Sequence, residues 1–220
     1  FADFNIINFP GGNTGVQMGG WFRREIGSLA DLRGLKMRIP GFGGEVMSRM
    51  GVTVQVIPGG EIYPSLERGA IDATEWVGPY DDEKLGFHQI VKNYYYPGWW
   101  EPGPQLSFYV NRQAWDGLPS LYQEALATAA AEANARMLTR YDAVNPPALE
   151  RLVAQGVRLR PFPDDVVREA ERISTELLEA GGNDALYGRI YDAFKKWRAA
   201  SRRWSGTNEQ AYAAWAMRQT

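Results

Sequence analysis

Through the first 77 residues, short apolar runs alternate with short amphipathic ones, punctuated by Gly and Pro. The runs at 35–39 (LKMRI), 52–57 (VTVQVI) and 71–77 (IDATEWV) have strand length and apolar or β-branched content. Each is halted by a turn signal, Pro40-Gly41, Pro58-Gly59-Gly60 or Gly78-Pro79. Between them, 43–50 and 61–68 predict short helices that stop at Gly51 and Gly69. A further strand is predicted over 5–9 with a loop over 10–15, a turn or hairpin limb over 21–27, and one helical turn over 28–32 ended by Gly34. Strands alternating with helices through short turns predict parallel βαβ units, whose ligands sit outside the carboxyl ends of the strands. Arg38 and Glu75-Trp76 fall at or near such ends.

Beyond Pro79 the texture becomes helical. A helix is predicted over 81–95, whereas 94–103 (YYYPGWWEPG) is too rich in Pro and Gly to be one. Alternation over 105–111 predicts a strand. An Ala-rich helix over 120–142 carries Leu126, Ala130, Ala133, Met137 and Tyr141 near helical spacing. Asn145-Pro146-Pro147 should break or kink it before it resumes over 148–155. A strand over 156–160 and helices over 164–180 and 183–200 follow. The last of these places Leu186, Tyr187, Ile190, Tyr191, Phe194 and Trp197 on one stripe, and Tyr212 and Trp215 lie in a final helical stretch. No internal repeat or low-complexity segment is present.

The 220 residues are 45% hydrophobic and 23% charged, which suits one large or two small globular domains. A net charge of -2 suggests no nucleic-acid or anionic-membrane partner. The absence of cysteine excludes a disulfide framework, a thiolate metal site and a Cys nucleophile. No apolar run approaches the ~18 residues needed to span a bilayer. The chain opens on Phe1-Ala2-Asp3-Phe4, with no initiator Met and no basic leader, and so reads as a mature or truncated product. Of its 8 Trp, Trp21, Trp76, Trp99, Trp100 and Trp115 lie among many glycines in the first 115 residues, as a pocket wall or as filling for an irregular core.

Few residue clusters suggest chemistry. Gly41-Phe42-Gly43-Gly44 precedes a helix but lacks the Lys-Ser/Thr of a phosphate loop, so it offers at most backbone N–H groups to a small anion. His88 is the only histidine, and the pattern places it on a solvated helix face, away from any triad or metal site. Arg38, at a strand end, suits bidentate capture of a carboxylate; the alternative is a structural ion pair with a nearby acid. Glu75 and Glu101 are each flanked by Trp. They read as an acid/base pair for glycoside hydrolysis, as hard oxygen ligands for a cation, or as exposed loop carboxylates. The aromatic stripe near the carboxyl end reads as a packing face with room for a subunit contact.

Four stretches, GGNTGVQMGGWF, LKMRIPGFGGEVMSRMG, PGGEIYPSLERGAIDATEWVGPYDD and YYYPGWWEPG, occur in this order. Together they resemble the substrate-binding subunits of TRAP (tripartite ATP-independent periplasmic) transporters, the DctP-type solute-binding proteins. The similar branch binds 2-oxo or 2-hydroxy acids such as pyruvate and lactate. The likeness runs from about Phe9 to beyond Asn145. It implies an α/β fold of the type II periplasmic-binding kind, two domains on a hinge with a long helical carboxyl-terminal region, and here an amino-terminal domain largely missing. Residues 1–77 would belong to the second, ligand-binding domain. Residues 78–104 would cross to what remains of the first domain, and 105–160 would return with the long helix. Residues 161–220 would be carboxyl-terminal helices with a possible dimer contact.

The resemblance further implies a periplasmic protein that performs no chemistry. It would capture a small-molecule carboxylate and deliver it to the membrane permease subunits of a TRAP transporter. Gln17, Arg38, Trp76 and Glu101 would bind substrate. Gln17, Glu75, the Trp76 carbonyl and Glu101 would hold a cation, sodium or calcium, bridging protein and ligand. Electrostatics agrees, because two glutamates and an acidic guest exceed the single charge of Arg38. Like charges ~4 Å apart repel by roughly 4 kcal/mol at an effective dielectric near 20. The rival reading is a hydrolase or lyase using Glu75 and Glu101 as acid and base. A third is an assembly module that relies on the aromatic stripe.

Overall fold

The structure is a computed structural model that describes residues 1–218. Its strands are β1 (Ile6–Asn13), β2 (Gly20–Phe22), β3 (Lys36–Arg38), β4 (Thr53–Gln55), β5 (Ala73–Thr74), β6 (Asn93–Tyr96), β7 (Gln105–Asn111) and β8 (Arg158–Pro161). Six of them form one sheet in the order β4-β3-β5-β2-β6-β8, while β1 and β7 pair as a separate antiparallel ribbon. The predicted βαβ units are present: β3 is parallel to both β4 and β5, with α1 (Gly41–Arg49) and α2 (Gly59–Glu67) as crossovers. The sheet as a whole is mixed. The stretch expected to be a turn or hairpin limb is the inner strand β2, antiparallel to β5 on one side and β6 on the other.

Two further expectations are corrected. The loop predicted over 10–15 is mostly strand, since β1 continues to Asn13 with a shift of register between Pro10 and Gly12. The single helix predicted over 81–95 is two short helices, α3 (Pro79–Leu85) and α4 (Phe87–Ile90), followed by β6. They part at Gly86, whose φ of 77° is the left-handed conformation that ends a helix. The aromatic run in β6 then prefers the pleated surface. Tyr94 stacks on Trp21 with centroids 4.0 Å apart, while Tyr95 meets Phe22 and Phe162.

Trp21, Ile62, Leu66, Ile71, Phe87, Val91, Tyr94, Leu152 and Val157 form the buried core beside the sheet. Trp21 is therefore core filling and not a pocket wall. After α5 (Arg112–Asp116), α6 (Ser120–Ala154) carries Pro146 and Pro147 without ending. Beyond those prolines, Ala148 and Leu152 are wholly buried, so core packing holds the helix through a site that local chemistry disfavours.

The chain divides into two units, Phe1–Ala170 and the residues from Glu171 on. The second holds the end of α7 (Asp164–Ala180), α8 (Ala185–Thr207) and α9 (Glu209–Ala216). Asp184 caps α8 by accepting hydrogen bonds from the Leu186 and Tyr187 amides. The predicted stripe on α8 is formed, with Tyr187, Tyr191, Phe194 and Trp197 in ring contact along the helix.

Candidate functional site

The parallel pairing of β3 with β5 sets Arg38 opposite Thr74, so Glu75 emerges beside the guanidinium at the carboxyl ends of both strands. Arg38 Nη1 donates to the Glu75 carboxylate and also to the Glu75 carbonyl, at 3.2 Å. Its Nε donates to the Ile57 carbonyl at 3.2 Å. The structural ion pair weighed for Arg38 is thus realised, with Glu75 as partner. Nη2 takes no part in these contacts and is the donor left for a guest. The guanidinium also lies 5.2 Å from the centroid of the Trp76 ring.

Gln17 is brought in by backbone hydrogen bonds. Its amide donates to the Glu101 carbonyl at 3.2 Å, its carbonyl accepts from Gly98, and the next amide, Met18, donates to the Val77 carbonyl at 3.0 Å. The segments 17–18, 75–77 and 98–101 therefore meet. Gly98 makes this possible, since a Cβ there would lie 2.6 Å from the Met18 carbonyl oxygen and 2.7 Å from that of Gln17. Gly20 does the same between β2 and β5, where a Cβ would lie 2.4 Å from the Thr74 oxygen. The Gln17 amide nitrogen reaches Thr14 Oγ1, and its Oε1 is buried without a partner.

A cavity of about 170 Å³ opens here, lined by Ile39, Pro40, Gly41, Phe42, Gly43, Glu75, Trp100 and Glu101. Glu75 and Glu101 face it directly; Arg38, Gln17 and Trp76 connect to it through the contacts above. A larger depression along α6, between Ala129 and Arg140, contains none of the residues singled out from sequence. Burial pushes the Glu75 carboxyl up to about 8; Arg38 opposes that rise, while Glu101 and Asp82 add to it. Glu101 is also raised by burial, against the pull of Arg38. The Trp100 indole N–H favours the Glu75 carboxylate, yet both it and that of Trp99 are buried without a well-formed hydrogen bond.

These groups fit a hard cation. Among the described residues no three His, Asp or Glu gather to hold an ion by themselves. An ion would therefore take two carboxylates and complete its shell with neutral oxygens. The orphaned Gln17 Oε1 is such an oxygen, and so is the Trp76 carbonyl, which accepts no hydrogen bond among the described residues.

A family model described as bacterial extracellular solute-binding protein, family 7, matches residues 1–181. The chain belongs to that family. It is 55% identical over 213 residues to the monocarboxylate 2-oxoacid-binding periplasmic protein of Nostoc sp., covering 96% of this chain and 58% of that protein. A solved TRAP transporter solute-binding protein from Bordetella bronchiseptica is 45% identical with a TM-score of 0.95, covering 99% of this chain and 65% of that one. It is a mixed-occupancy dimer, with calcium and picolinate in one site and the other site empty. A second, from Pseudoalteromonas atlantica, holds sodium and pyruvate; it is 43% identical with a TM-score of 0.89, over 97% of this chain and 65% of that one. This family 7 chain thus spans less than two thirds of the length of these relatives.

Three residues of this family 7 protein differ from, or escape, the sequence reading. His88, expected on a solvated face, is buried with its ring centroid 6.5 Å from that of Trp21 and its Nδ1 unpartnered. The break at Gly86 rotates α4 relative to α3 and turns His88 inward, where burial holds its pKa down. Phe42 and Trp100 line the cavity, and only the Gly-rich and Trp-rich composition around them marks them in the sequence. Asp82 is buried and accepts three hydrogen bonds, and burial raises it to about 6. Its signal is an acidic pair in the first turn after Gly78-Pro79, where one carboxylate serves the helix end and the other turns inward.

Proposed function

We propose that this chain is the ligand-gripping part of a periplasmic solute-binding protein of a TRAP transporter. It captures a small 2-oxo or 2-hydroxy carboxylate together with a sodium or calcium ion and delivers it, unaltered, to the membrane permease subunits. The observation that carries this reading is the Gln17 Oε1, buried without a partner beside two carboxyl groups that burial has raised. The relatives' bound calcium, sodium, pyruvate and picolinate support it. Glu75, Glu101, Gln17 and the Trp76 carbonyl hold the ion, and Arg38 Nη2 grips the far carboxylate oxygen of the guest. The ion supplies the positive charge that lets two carboxylates and an acidic guest share one crevice. Trp76, Trp99 and Trp100 wall its apolar end. Residues 1–77 and 105–160 form the ligand-binding lobe, 78–104 cross to a second lobe, and 161–220 extend as helices.

Arg38 and Gln17 converging on the carboxylates speak against an acid/base pair, which needs one carboxylate free of a guanidinium. Titration calorimetry of the full-length protein with calcium tests the reading. A guest with adjacent carboxylate and keto oxygens chelates the ion, so pyruvate should bind about 100-fold more tightly than acetate, roughly 2.7 kcal/mol. Equal affinities, or pyruvate consumed during the titration, would reverse the assignment.

The stripe on α8 packs against a second copy of this chain. Ile190, Trp197 and Trp204 are each more than 60% exposed, too much aromatic area for a solvated helix face. A Trp197→Asp variant is expected to sediment as a monomer at micromolar concentration with pyruvate affinity unchanged. An unaltered dimer would place the contact elsewhere.

A further inference from the structure

Asp82 belongs to neither the proposed ion set nor the cavity wall, yet it is the most constrained carboxylate near them. Its Oδ2 accepts from the Trp21 indole at 2.9 Å and from the Tyr94 hydroxyl at 2.8 Å, and its Oδ1 accepts from the Val77 amide at 3.1 Å. It is 1% exposed, with no cationic partner among these contacts. The Val77 N–H and the Trp76 C=O are two ends of one peptide plane. Along 75–77 the other carbonyls are occupied. That of Glu75 accepts from Arg38 and Thr74, and that of Val77 accepts from Met18. Trp76 alone has its carbonyl free among the described residues.

We propose that Asp82 is a positioning residue for the cation: its hydrogen bond to the Val77 amide fixes the Trp76–Val77 peptide plane and loads electron density onto the Trp76 carbonyl. This rests on the cation reading above. An anion at the N–H end of an amide polarises it toward its oxygen, as second-layer carboxylates do for histidine ligands of metals. The buried charge also adds to the negative potential that favours an ion. Trp21 and Tyr94 are the anchor: stacked on each other in the core, they hold the carboxylate in place so that it can hold the peptide.

Asparagine cannot substitute. Trp21 Nε1 and the Val77 amide only donate, so Asn would face one of them with an N–H and leave it unpaired. Calcium affinity of the full-length protein, measured by calorimetry for the parent, D82N and Y94F, tests the proposal alongside thermal unfolding in chelator. Both variants should lower Tm. D82N should bind calcium about 10- to 100-fold more weakly. Y94F, which keeps the Asp82–Val77 bond and removes a competing donor, should stay within about 3-fold of the parent or bind more tightly. D82N binding as the parent does, or Y94F losing as much as D82N, overturns the proposal; were D82N not to fold, a tenfold loss in Y94F alone would do so. A parent protein that binds no cation instead removes the reading on which the proposal stands.

Discussion

Stripping calcium and sodium from the full-length protein is expected to weaken pyruvate binding by about 1,000-fold, roughly 4 kcal/mol. The reason lies in the charge balance of the crevice. Arg38 is already committed to Glu75 through its carboxylate and its carbonyl. Glu101 shares the same guanidinium only at a distance, through its electrostatic pull. A guest anion arriving without a cation meets Glu75 and Glu101 across a partly dry cavity, where one uncompensated repulsion at ~4 Å accounts for the expected loss. The same balance predicts a proton signature. Glu75 titrates at about 8, so at pH 7 it is mostly protonated and must ionise to ligate a cation. Calcium binding at pH 7 should release about one proton per ion, measurable as a dependence of the calorimetric heat on buffer ionisation enthalpy. Pyruvate binding within tenfold of normal in chelator, with no proton release on adding calcium, would remove the cation from the mechanism.

Much of the frame was legible because the sequence states it locally. The runs that became β3, β4 and β5, and the glycines at 51 and 69, fix the parallel units, and parallel pairing sets Glu75 one residue past the partner of Arg38. The stripe on α8 was equally plain, because a long helix repeats its period often enough to be read. What escaped depends on partners far along the chain. β2 is three residues long, too short to show alternation, and its place between β5 and β6 is fixed by Gly20 packing against Thr74. The Asn93–Tyr96 strand carries aromatics that fit either a helix face or a pleated surface, and only Trp21 and Phe22, some seventy positions away, decide between them.

The site was legible in identity and not in pairing. Arg38, Glu75, Glu101, Gln17 and Trp76 do converge, as the resemblance implied. The engagement of Arg38 by Glu75 and the orphaned Gln17 oxygen are tertiary facts that composition cannot carry. Asp82 and His88 show the same limit. A one-residue break at Gly86 rotates everything after it, so a side chain placed outward by a continuous helix turns inward.

Arg38→Ala is expected to weaken pyruvate binding by at least about 100-fold, near 3 kcal/mol, since truncating one partner of a buried charge pair leaves the other uncompensated. Arg38→Lys should recover little of this. One ammonium cannot reach the Ile57 carbonyl, the Glu75 carbonyl and carboxylate, and a guest oxygen together, as a planar fork does. The variant also carries a signature in stability. The folded-state pKa of Glu75 lies above its ordinary 4.5, so its contribution to stability is fully present below that value and is lost as pH rises through about 8. In chelator, the parent should lose ~1.4 kcal/mol for each pH unit between these limits and then level off. Without Arg38 the main force holding the Glu75 pKa down is gone, so in Arg38→Ala the decline should continue past pH 8. Denaturant unfolding from pH 6 to 9 measures both curves. A variant that bound pyruvate normally, or whose curve levelled where the parent's does, would show that Arg38 neither grips the guest nor sets the charge of Glu75.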